Sequence, residues 1–261
     1  MRTLLICHDN AEIDLKVLAP WLASFSEVVG VMVIQEEGKS ELWKRAKREL
    51  KRSGVLGLVD VLAFRLYYGF FCRNNDIAWG KTIIERWSHR FASSALNAPD
   101  RLVVRSPNST EAREFIERLK PDIMIARCKF ILKKEIFDKA GIGTFVMHPG
   151  HCPEYRNAHG CFWAIVQGDL AKVSMTLLKV DEGIDTGPVY GYYSYPFDSR
   201  RESHFQIQAR VVLENLDAIA DKFREIAAGR ALTLPTHGRP SAVWGQPRLT
   251  SYLRAKWRSR S

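Results

Sequence analysis

Residues 3–34, TLLICHDNAEIDLKVLAPWLASFSEVVGVMVI, decide the class of fold. The runs Thr3–Cys7 and Glu27–Ile34 are short, rich in Val, Ile and Leu, and bounded by polar residues, which is the pattern of buried strands. Between them, apolar residues recur at helical spacing, at Ile13, Val17, Leu18, Trp21, Leu22 and Phe25. A strand, a helix and a second strand in this order predict the first unit of a parallel sheet.

The same alternation continues downstream. Further apolar runs that predict strands are Leu102–Arg105, Asp122–Ala126, Gly143–Met147, Val173–Val180 and Pro188–Tyr195. Helical patterns lie between several of them, at Thr110–Leu119 and Ala158–Gln167. Ser109 or Thr110 is suited to cap the first of these helices, and Pro121 follows its end. The sequence therefore predicts an α/β fold with an open, mostly parallel sheet covered by helices on both faces.

Residues 41–96 interrupt the alternation and predict a helical insertion. Glu41–Arg52 is highly charged, whereas Val55–Phe71 is strongly apolar, with only Asp60 and Arg65 charged. We expect the apolar part to pack on the core or on a partner. A basic helix that leads into an apolar, aromatic one is also suited to a membrane surface, so peripheral membrane contact stays open.

The chain changes character after its last predicted strand. Glu202–Ala228 carries a long helical pattern, and Gly and Pro residues from Leu234 onward predict an irregular, basic tail. The predicted organisation is a main domain over residues 1–200, which contains the insertion, and a C-terminal extension over 201–261.

Composition sets the outer bounds. A chain of 261 residues with 46% hydrophobic and 26% charged residues is typical of a globular protein. Its start lacks the long apolar run of a signal peptide, and no stretch reaches about eighteen uninterrupted apolar residues, so we expect no transmembrane segment. The five cysteines are odd in number and lack CxxC spacing, which disfavours a disulfide framework and a zinc site. A cytoplasmic location fits best, and the oligomeric state stays open.

The formal net charge of +10 is concentrated in two clusters. One lies within Lys44–Arg52 and the other within Arg248–Arg260. Clustered positive charge attracts phosphates on nucleic acid, on a nucleotide-linked substrate or on an anionic membrane. The alternative for the first cluster is a solvated helix face, which we favour slightly.

His148–Gly187, HPGHCPEYRNAHGCFWAIVQGDLAKVSMTLLKVDEGIDTG, is the segment that carries chemistry. His148 follows a predicted strand end, where open parallel sheets place their sites, and an imidazole exchanges protons near neutral pH. Asp185 follows the next predicted strand, and a return to the same sheet brings the two side chains together. A structural histidine and a turn aspartate are the ordinary alternatives for each residue alone. Asp181 and Asp185 provide too few oxygen ligands for a metal, so we expect none.

This segment resembles the signature of 10-formyltetrahydrofolate-dependent formyltransferases, a superfamily that includes the methionyl-tRNA, glycinamide ribonucleotide and sugar N-formyltransferases. HPG, CPEYR, WAIVQGD and MTLLKVDEGIDTGPV occur in the family's order and nearly its spacing. KPDIMIARCKFILKKEIF, upstream, resembles the family's strand and folate loop, and the resemblance extends over residues 1 to about 200. It implies a Rossmann-like catalytic domain and 10-formyltetrahydrofolate as co-substrate.

The resemblance also implies roles for individual residues. His148 and Asp185 fall on the catalytic His and Asp positions, where the imidazole moves protons and stabilises a negative oxygen, and the carboxylate favours the imidazolium. The implied contacts to the folate carrier are Phe130, Leu132, Asp181, Gly183 and Ile184. The implied contacts to the acceptor are Tyr155, Arg156 and Asn157. Apart from the resemblance, we expect both His151 and His159 to be structural, and His159 is the better candidate of the two for lining the cleft.

One position departs from the family. Val146 stands where the family has asparagine, and it has no side-chain donor for the oxyanion; loss of one such donor typically costs on the order of 10²–10³ in rate. The alternative donors are a backbone N–H, Asn157 and a bound water, so three hypotheses stay open: a formyltransferase, a formyl-folate hydrolase and a non-catalytic folate-binding homologue.

The acceptor is narrowed by elimination. Only about seventy residues follow Asp185, too few for the tRNA-binding barrel of the tRNA enzyme, so tRNA is disfavoured. CHDNAEID, after the first strand, lacks the glycines of the purine enzyme's phosphate loop. A small-molecule amine is left as the predicted acceptor, and an amino sugar on a nucleotide carrier is the leading candidate.

Overall fold

A computed structural model describes residues 1–35, 39–94 and 99–258 of the protein. Its sheet contains seven strands: β1 Arg2–His8, β2 Glu27–Ile34, β3 Asp100–Val104, β4 Ile123–Arg127, β5 Gly143–His148, β6 Met175–Lys179 and β7 Val189–Tyr193. Their order in the sheet is β3-β2-β1-β4-β5-β6-β7. Strands β1 to β5 are parallel to one another, whereas β6 is antiparallel to β5, and β7 is antiparallel to β6. The predicted α/β fold with a mostly parallel sheet is confirmed.

Helices flank this sheet. They are α1 Ala19–Ala23, preceded by a π-helical turn at Asp14–Leu18, α2 Lys39–Phe71, α3 Arg73–Arg90, α4 Thr110–Leu119, α5 Lys134–Phe137, α6 Gly160–Gln167, α7 His204–Leu213, α8 Leu216–Ala227 and α9 Leu249–Arg258. Helix α4 begins where the sequence predicted, because the Ser109 hydroxyl accepts a hydrogen bond from the Ala112 N–H at 3.3 Å.

The two faces of the sheet bury separate apolar layers, since side chains alternate along each strand. Leu5 and Phe145 point to the layer that contains the helices α1, α3, α6, α7 and α8. Leu4 and Met124 point to the other layer, which contains α4 and α5. Both faces of the sheet are therefore covered, as its near-continuous apolar strands require.

The insertion forms two helices, α2 and α3. Gly54 breaks α2 with a positive φ of 68°, a conformation that glycine adopts without strain. Beyond the break, Val61 and Phe64 are buried against the core, so the expected core packing is found on this side of the helix. Glu49–Phe71 is also long and apolar enough, by length and composition alone, to cross a membrane.

Two expectations for the C-terminal extension were wrong. The predicted long helix is two helices, α7 and α8, because Asn215 ends the first by donating its side-chain amide to the carbonyls of Val211 and Ser194, at 3.0 and 3.1 Å. The predicted irregular tail contains helix α9, which packs on α2 and α6. Trp21 donates to the Leu216 carbonyl at 3.1 Å, so the segments before and after residue 200 share one hydrophobic core.

Candidate active site

His148 is the last residue of β5, and its imidazole is buried. Its Nε2 lies 3.3 Å from the carbonyl oxygen of Tyr155, in the loop that follows the strand. Gly150 makes this approach feasible, because a Cβ at that position would lie 2.6 Å from His148 Nε2 and would also collide with the Tyr155 carbonyl. The loop thus folds tightly around the ring and holds it at the carboxyl edge of the parallel strands.

Asp185 reaches His148 by a route that the sequence did not indicate. Because β6 is antiparallel to β5, its carboxyl end lies beside Phe145 rather than beside His148. Residues 180–188 close a loop, in which the Lys179 N–H donates to the Pro188 carbonyl at 2.9 Å, and this loop returns across the sheet towards His148. Asp185 Oδ1 then lies 3.7 Å from His148 Nδ1. The predicted pairing is found, although the expected route through a neighbouring strand end is wrong.

The backbone of this loop is tightly specified. Asp185 has a φ of 52°, in the left-handed region that Asp and Asn tolerate better than most residues. Its Oδ2 accepts a hydrogen bond from the Asn157 N–H at 2.8 Å, which leaves Oδ1 facing the imidazole. Arg156 Nη1 donates to the Ile184 carbonyl at 3.1 Å. From the loop that follows His148, one main-chain N–H thus holds the Asp185 carboxylate, and one guanidinium group holds the backbone of the residue before it.

Asp181 organises the start of the same loop. Its Oδ1 accepts from the Gly183 N–H at 3.0 Å and from the Thr186 hydroxyl at 2.7 Å. A Cβ at Gly183 would collide with the Thr186 side chain, and one at Gly187 would collide with the Lys179 carbonyl. The DEGIDTG sequence thus shapes the backbone that presents Asp185.

Val146 lies two residues before His148 on β5 and is half-buried. Its side chain packs with Cys152, Leu178 and Val189, so the position of the family asparagine lies in an apolar environment. Asn157, a candidate replacement donor, turns its side-chain amide to the Trp244 carbonyl at 2.6 Å. Both nitrogens of Asn157 therefore donate to protein oxygens, in an arrangement that positions Asp185.

The predicted carrier contacts come from two segments on one side of the sheet. Leu132 is buried in the layer that Val146 and Val180 also contact. Phe130 is exposed at 39%, and its ring stacks on His8 with a centroid separation of 6.2 Å. Ile184 is also exposed in its loop. The two segments are linked at the surface, because Lys134 Nζ lies 3.6 Å from a Glu182 carboxylate oxygen.

Of the three predicted acceptor contacts, one is buried and two contact the Asp185 loop. Tyr155 is buried, and its hydroxyl donates to Asp169 at 3.3 Å, so its carbonyl rather than its ring approaches His148. Arg156 and Asn157 contact the Asp185 loop as described above. The structure thus brings these two residues together with His148 and Asp185 around one point.

Sequence reasoning missed an ion pair beside β5, the strand that carries His148. Arg127 ends β4; its Nε lies 3.1 Å from Asp14 Oδ1, and its Nη1 donates to the Met147 carbonyl at 2.7 Å. Asp14 is buried in the π-helical turn, a feature frequent at functional sites. Asp14 and Arg127 line a cleft of about 360 Å³. The other residues of its lining are Asn10, Ala11, Glu12, Ile13, Ala209, Val212 and Leu213. The available signal was an arginine at a strand end, which pattern alone does not distinguish from a solvated one.

Sequence reasoning also missed a strap formed by residues 239–245. Arg239 forms a bidentate ion pair with Glu154, at 3.1 and 2.7 Å. Val243 bridges to Arg156, and the Trp244 N–H donates to the Arg156 carbonyl at 3.2 Å. The Trp244 ring stacks on Tyr155, with centroids 5.6 Å apart. The strap therefore supports the loop that positions Asp185.

Burial sets the protonation of several nearby groups. It raises the pKa of the Cys161 thiol to about 12 and also raises the pKa of Cys152, so both thiols are protonated near neutral pH and are poor nucleophiles. Burial lowers the pKa of His151 and of His159 to about 4. His151 contacts the Ser174 hydroxyl at 2.9 Å, which fits the expected structural role. Within the described ranges, no group of three or more His, Cys, Asp or Glu side chains is arranged to hold a metal ion.

A family model described as Formyl transferase matches residues 86–221, more than half of the chain. The chain belongs to the formyl transferase family. The matched span contains His148, Val146 and Asp185 together with the loops that position them. The region that matches the family thus coincides with the candidate site that the geometry defines.

Two curated relatives show the extent of the sequence similarity. The methionyl-tRNA formyltransferase of Desulfotalea psychrophila is 37% identical over 92 residues, which are 34% of this chain and 28% of that protein. The methionyl-tRNA formyltransferase of Chlorobium chlorochromatii is 27% identical over 144 residues, which are 55% of this chain and 45% of that protein. The alignments span less than half the length of these relatives.

Solved structures show the same fold over nearly the whole chain. A sugar N-formyltransferase from a Shewanella species has a TM-score of 0.57 at 14% identity, covering 98% of this chain and 87% of that one. A phosphoribosylglycinamide formyltransferase from Anaplasma phagocytophilum has a TM-score of 0.53 at 14% identity, covering 95% and 99%. At these identities, the similarity establishes the shared architecture and leaves the acceptor undetermined.

Proposed function

We propose that this protein transfers a formyl group from 10-formyltetrahydrofolate to the amine of a small metabolite. The observation that carries the proposal is the 3.7 Å pairing of His148 with Asp185 within the region that matches the family. The folate carrier is the donor that this membership supports. Phe130, Leu132 and the Asp181–Ile184 turn are the proposed carrier contacts, since they flank Val146 on one side of the sheet.

The proposed reaction is an acyl transfer. The acceptor nitrogen attacks the formyl carbon, and the carbonyl oxygen becomes negative in the tetrahedral intermediate. When the carbon–nitrogen bond to the carrier breaks, the carrier nitrogen takes up a proton and the attacking nitrogen loses one. His148 is the group that moves these protons, and its protonated form stabilises the negative oxygen.

Asp185 and the loop around it set the orientation of His148. Asp185 Oδ1 faces the imidazole at 3.7 Å, and the Asn157 N–H fixes the carboxylate oxygen that does not face the ring. The His148 side chain is 7% exposed and the Asp185 side chain is 16% exposed, so solvent screens the interaction between them less than it would at a surface.

We place the acceptor in the cleft beside β4 and β5. Arg127 connects that cleft to the catalytic strand, because it donates to the carbonyl of the residue before His148. A volume of about 360 Å³ suits a metabolite rather than a macromolecule. A nucleotide-linked amino sugar is the leading candidate, chosen because the loop Cys7–Asp14 lacks the glycines expected for a ribonucleotide phosphate.

Val146 favours a second candidate function. Its apolar surroundings provide no side-chain donor where the family has an amide. A protein that binds formyl-folate and hydrolyses it slowly, or only binds it, fits this position equally well. The two candidates differ in whether an amine accelerates loss of the formyl group.

The test follows release of the formyl group from a 10-formyl folate analogue by its absorbance change. Three classes of amine are added separately: nucleotide-linked amino sugars, glycinamide ribonucleotide and methionyl-tRNA. The variant Leu232→Gln, changed at a residue far in sequence from the site, is assayed beside the wild-type protein as the folding control. We expect one class of small amine to accelerate release and to appear as its N-formyl product. Release that is the same with and without every amine supports the hydrolase, and binding of the analogue without release supports the non-catalytic homologue.

A further inference from the structure

The second half of α2 exposes a continuous apolar face. Apart from one adjacent pair at its start, its members are spaced by three or four residues, which places them on one side of a helix. They are Val55, Leu56, Val59, Leu62, Leu66 and Phe70, and we name this set the outer face. Leu56 is 86% exposed, Leu66 64% and Phe70 80%. Single exposed apolar residues are ordinary, but a contiguous stripe of this length marks an interaction surface.

The core does not account for the outer face. The opposite side of the same helix makes the intramolecular contacts: Phe64 packs on Phe162 and Tyr252, with ring centroids 5.7 and 5.5 Å apart. Helix α2 is thus apolar on two sides, and only one of them packs against the rest of the protein. A helix with an unused apolar face requires an apolar partner.

The charges beside the outer face are predominantly positive. Lys47 and Lys51 precede it along α2 and are exposed, and Arg73 follows it and is exposed. Glu49 and Asp60, the acidic side chains that the described part of α2 contains, are both engaged in hydrogen bonds within the protein. Glu49 is buried and accepts from a serine hydroxyl one turn away at 3.0 Å, and Asp60 accepts from the first turn of α9 at 3.0 Å. An apolar stripe bordered by bases complements a surface that is apolar within and anionic at its edge.

We propose that the outer face binds the surface of an anionic membrane, with α2 lying in the plane of the lipid headgroups. The apolar side chains enter the boundary between headgroups and acyl chains, and the flanking bases contact lipid phosphates. The sequence Lys39–Ser53, which precedes Gly54, contains seven Lys or Arg, including Lys47 and Lys51, against two Glu. Spanning is disfavoured, because it would strip Phe64 and Val61 from the core and place the Gly54 break inside the bilayer.

Vesicle co-sedimentation tests the proposal with the whole protein. The vesicles are phosphatidylcholine alone, and phosphatidylcholine with phosphatidylglycerol at about 3:1, each at low and high salt. Leu56→Gln combined with Leu66→Gln removes apolar contact from the outer face. Its matched control combines Leu170→Gln with Leu232→Gln, two leucines exposed elsewhere at 51% and 83%.

A second pair of variants tests the charges. Lys47→Gln combined with Lys51→Gln removes two bases beside the outer face, and Arg200→Gln combined with Arg201→Gln removes two exposed bases distant from it in sequence. Folding of each variant is compared by thermal melting, which we expect to be unchanged. Formyl transfer in solution is a separate readout, since the proposed membrane contact involves no residue of the catalytic site.

We expect the wild-type protein to sediment with the anionic vesicles and at least about tenfold less with phosphatidylcholine alone. The outer-face pair should lower the partition coefficient at least about tenfold, and the lysine pair about fivefold for each charge at low salt. The control pairs should leave it within about twofold. Absence of sedimentation with anionic vesicles overturns the proposal. So does a concentration-dependent dimer in light scattering that Leu56→Gln with Leu66→Gln dissociates, because that result assigns the outer face to a second copy.

Discussion

Replacing Val146 by asparagine tests whether the site lacks only its oxyanion donor. Residues 146 and 148 lie on the same side of β5, so the new amide would point to the side on which His148 lies. One such donor is worth about 10²–10³ in rate, or roughly 3–4 kcal/mol of transition-state stabilisation. This sets the upper limit of the gain that Val146→Asn can give.

The same substitution has a cost in stability that the structure bounds. The half-buried Val146 side chain contacts Leu178, Cys152 and Val189, and exchanging it for an amide gives up part of that burial. We expect the free energy of unfolding to fall by about 1–2 kcal/mol. Val146→Thr is the matched control, because it has nearly the shape of valine and carries a polar group that is one bond shorter than the amide.

The assay is single-turnover release of the formyl group from a 10-formyl folate analogue, with a saturating amine. We expect Val146→Asn to react at least about tenfold faster than the wild-type protein, and Val146→Thr to stay within about threefold of it. Urea unfolding should show a similar loss of stability for both variants. If Val146→Asn binds the analogue and folds, yet reacts no faster than wild type, the reasoning about the missing donor is refuted.

Three further predictions follow from the site and its supports. Asp185→Asn keeps the left-handed backbone that Asn tolerates, so it should fold normally and lower kcat by at least about a hundredfold, measured by turnover and melting together; a kcat near wild type would contradict the pairing. Trp244→Ala removes the stacking on Tyr155 and should lower the free energy of unfolding, measured in urea, by about 2–3 kcal/mol. Trp244→Phe keeps an aromatic ring and should lower it by about half as much; equal losses for the two variants would show that stacking is unimportant. Burial, and then the nearby His159, lowers the pKa of His204 to about 3. Below the unfolded-state pKa of about 6.5, the unfolded chain binds a proton at this residue that the folded chain does not bind, so His204 alone should lower the free energy of unfolding by about 2 kcal/mol between pH 6.5 and 5. His151 and His159 add to the same pH dependence, and His204→Phe should remove only the contribution of His204.

Much of the sheet was predictable because its strands are buried on both faces. Such strands form near-continuous apolar runs, and strand β2 has the predicted bounds, Glu27–Ile34. Helix α4 also has its predicted bounds, Thr110–Leu119. The break between α7 and α8 was missed because the helical spacing of apolar residues continues through Leu213 and Leu216. Only the local hydrogen bonds of Asn215 end the first helix, and such bonds leave no periodic signal.

The composition of the candidate site was predictable, but its geometry was not. The order of His148, the CPEYR loop and DEGIDTG identified the residues. The antiparallel direction of β6 was not visible, because an apolar run carries no information about its partner's direction. The strap over Arg156 was missed for a related reason. Its main-chain hydrogen bonds and its side-chain contacts join segments far apart in sequence, and its Gly- and Pro-containing sequence has no periodicity.

The most direct test of the proposed function compares the wild-type protein with His148→Asn, whose amide keeps a polar group in the buried position of Nδ1. Binding of a 10-formyl folate analogue is measured by calorimetry, and amine-dependent formation of the N-formyl product is measured by mass spectrometry. We expect the wild-type protein to bind the analogue and form the product. His148→Asn should bind the analogue with a similar Kd and form product at least about a hundredfold more slowly. A wild-type protein that neither binds the analogue nor formylates any amine, or a variant as active as wild type, would contradict the assignment of His148 as the catalytic residue of a formyl transfer.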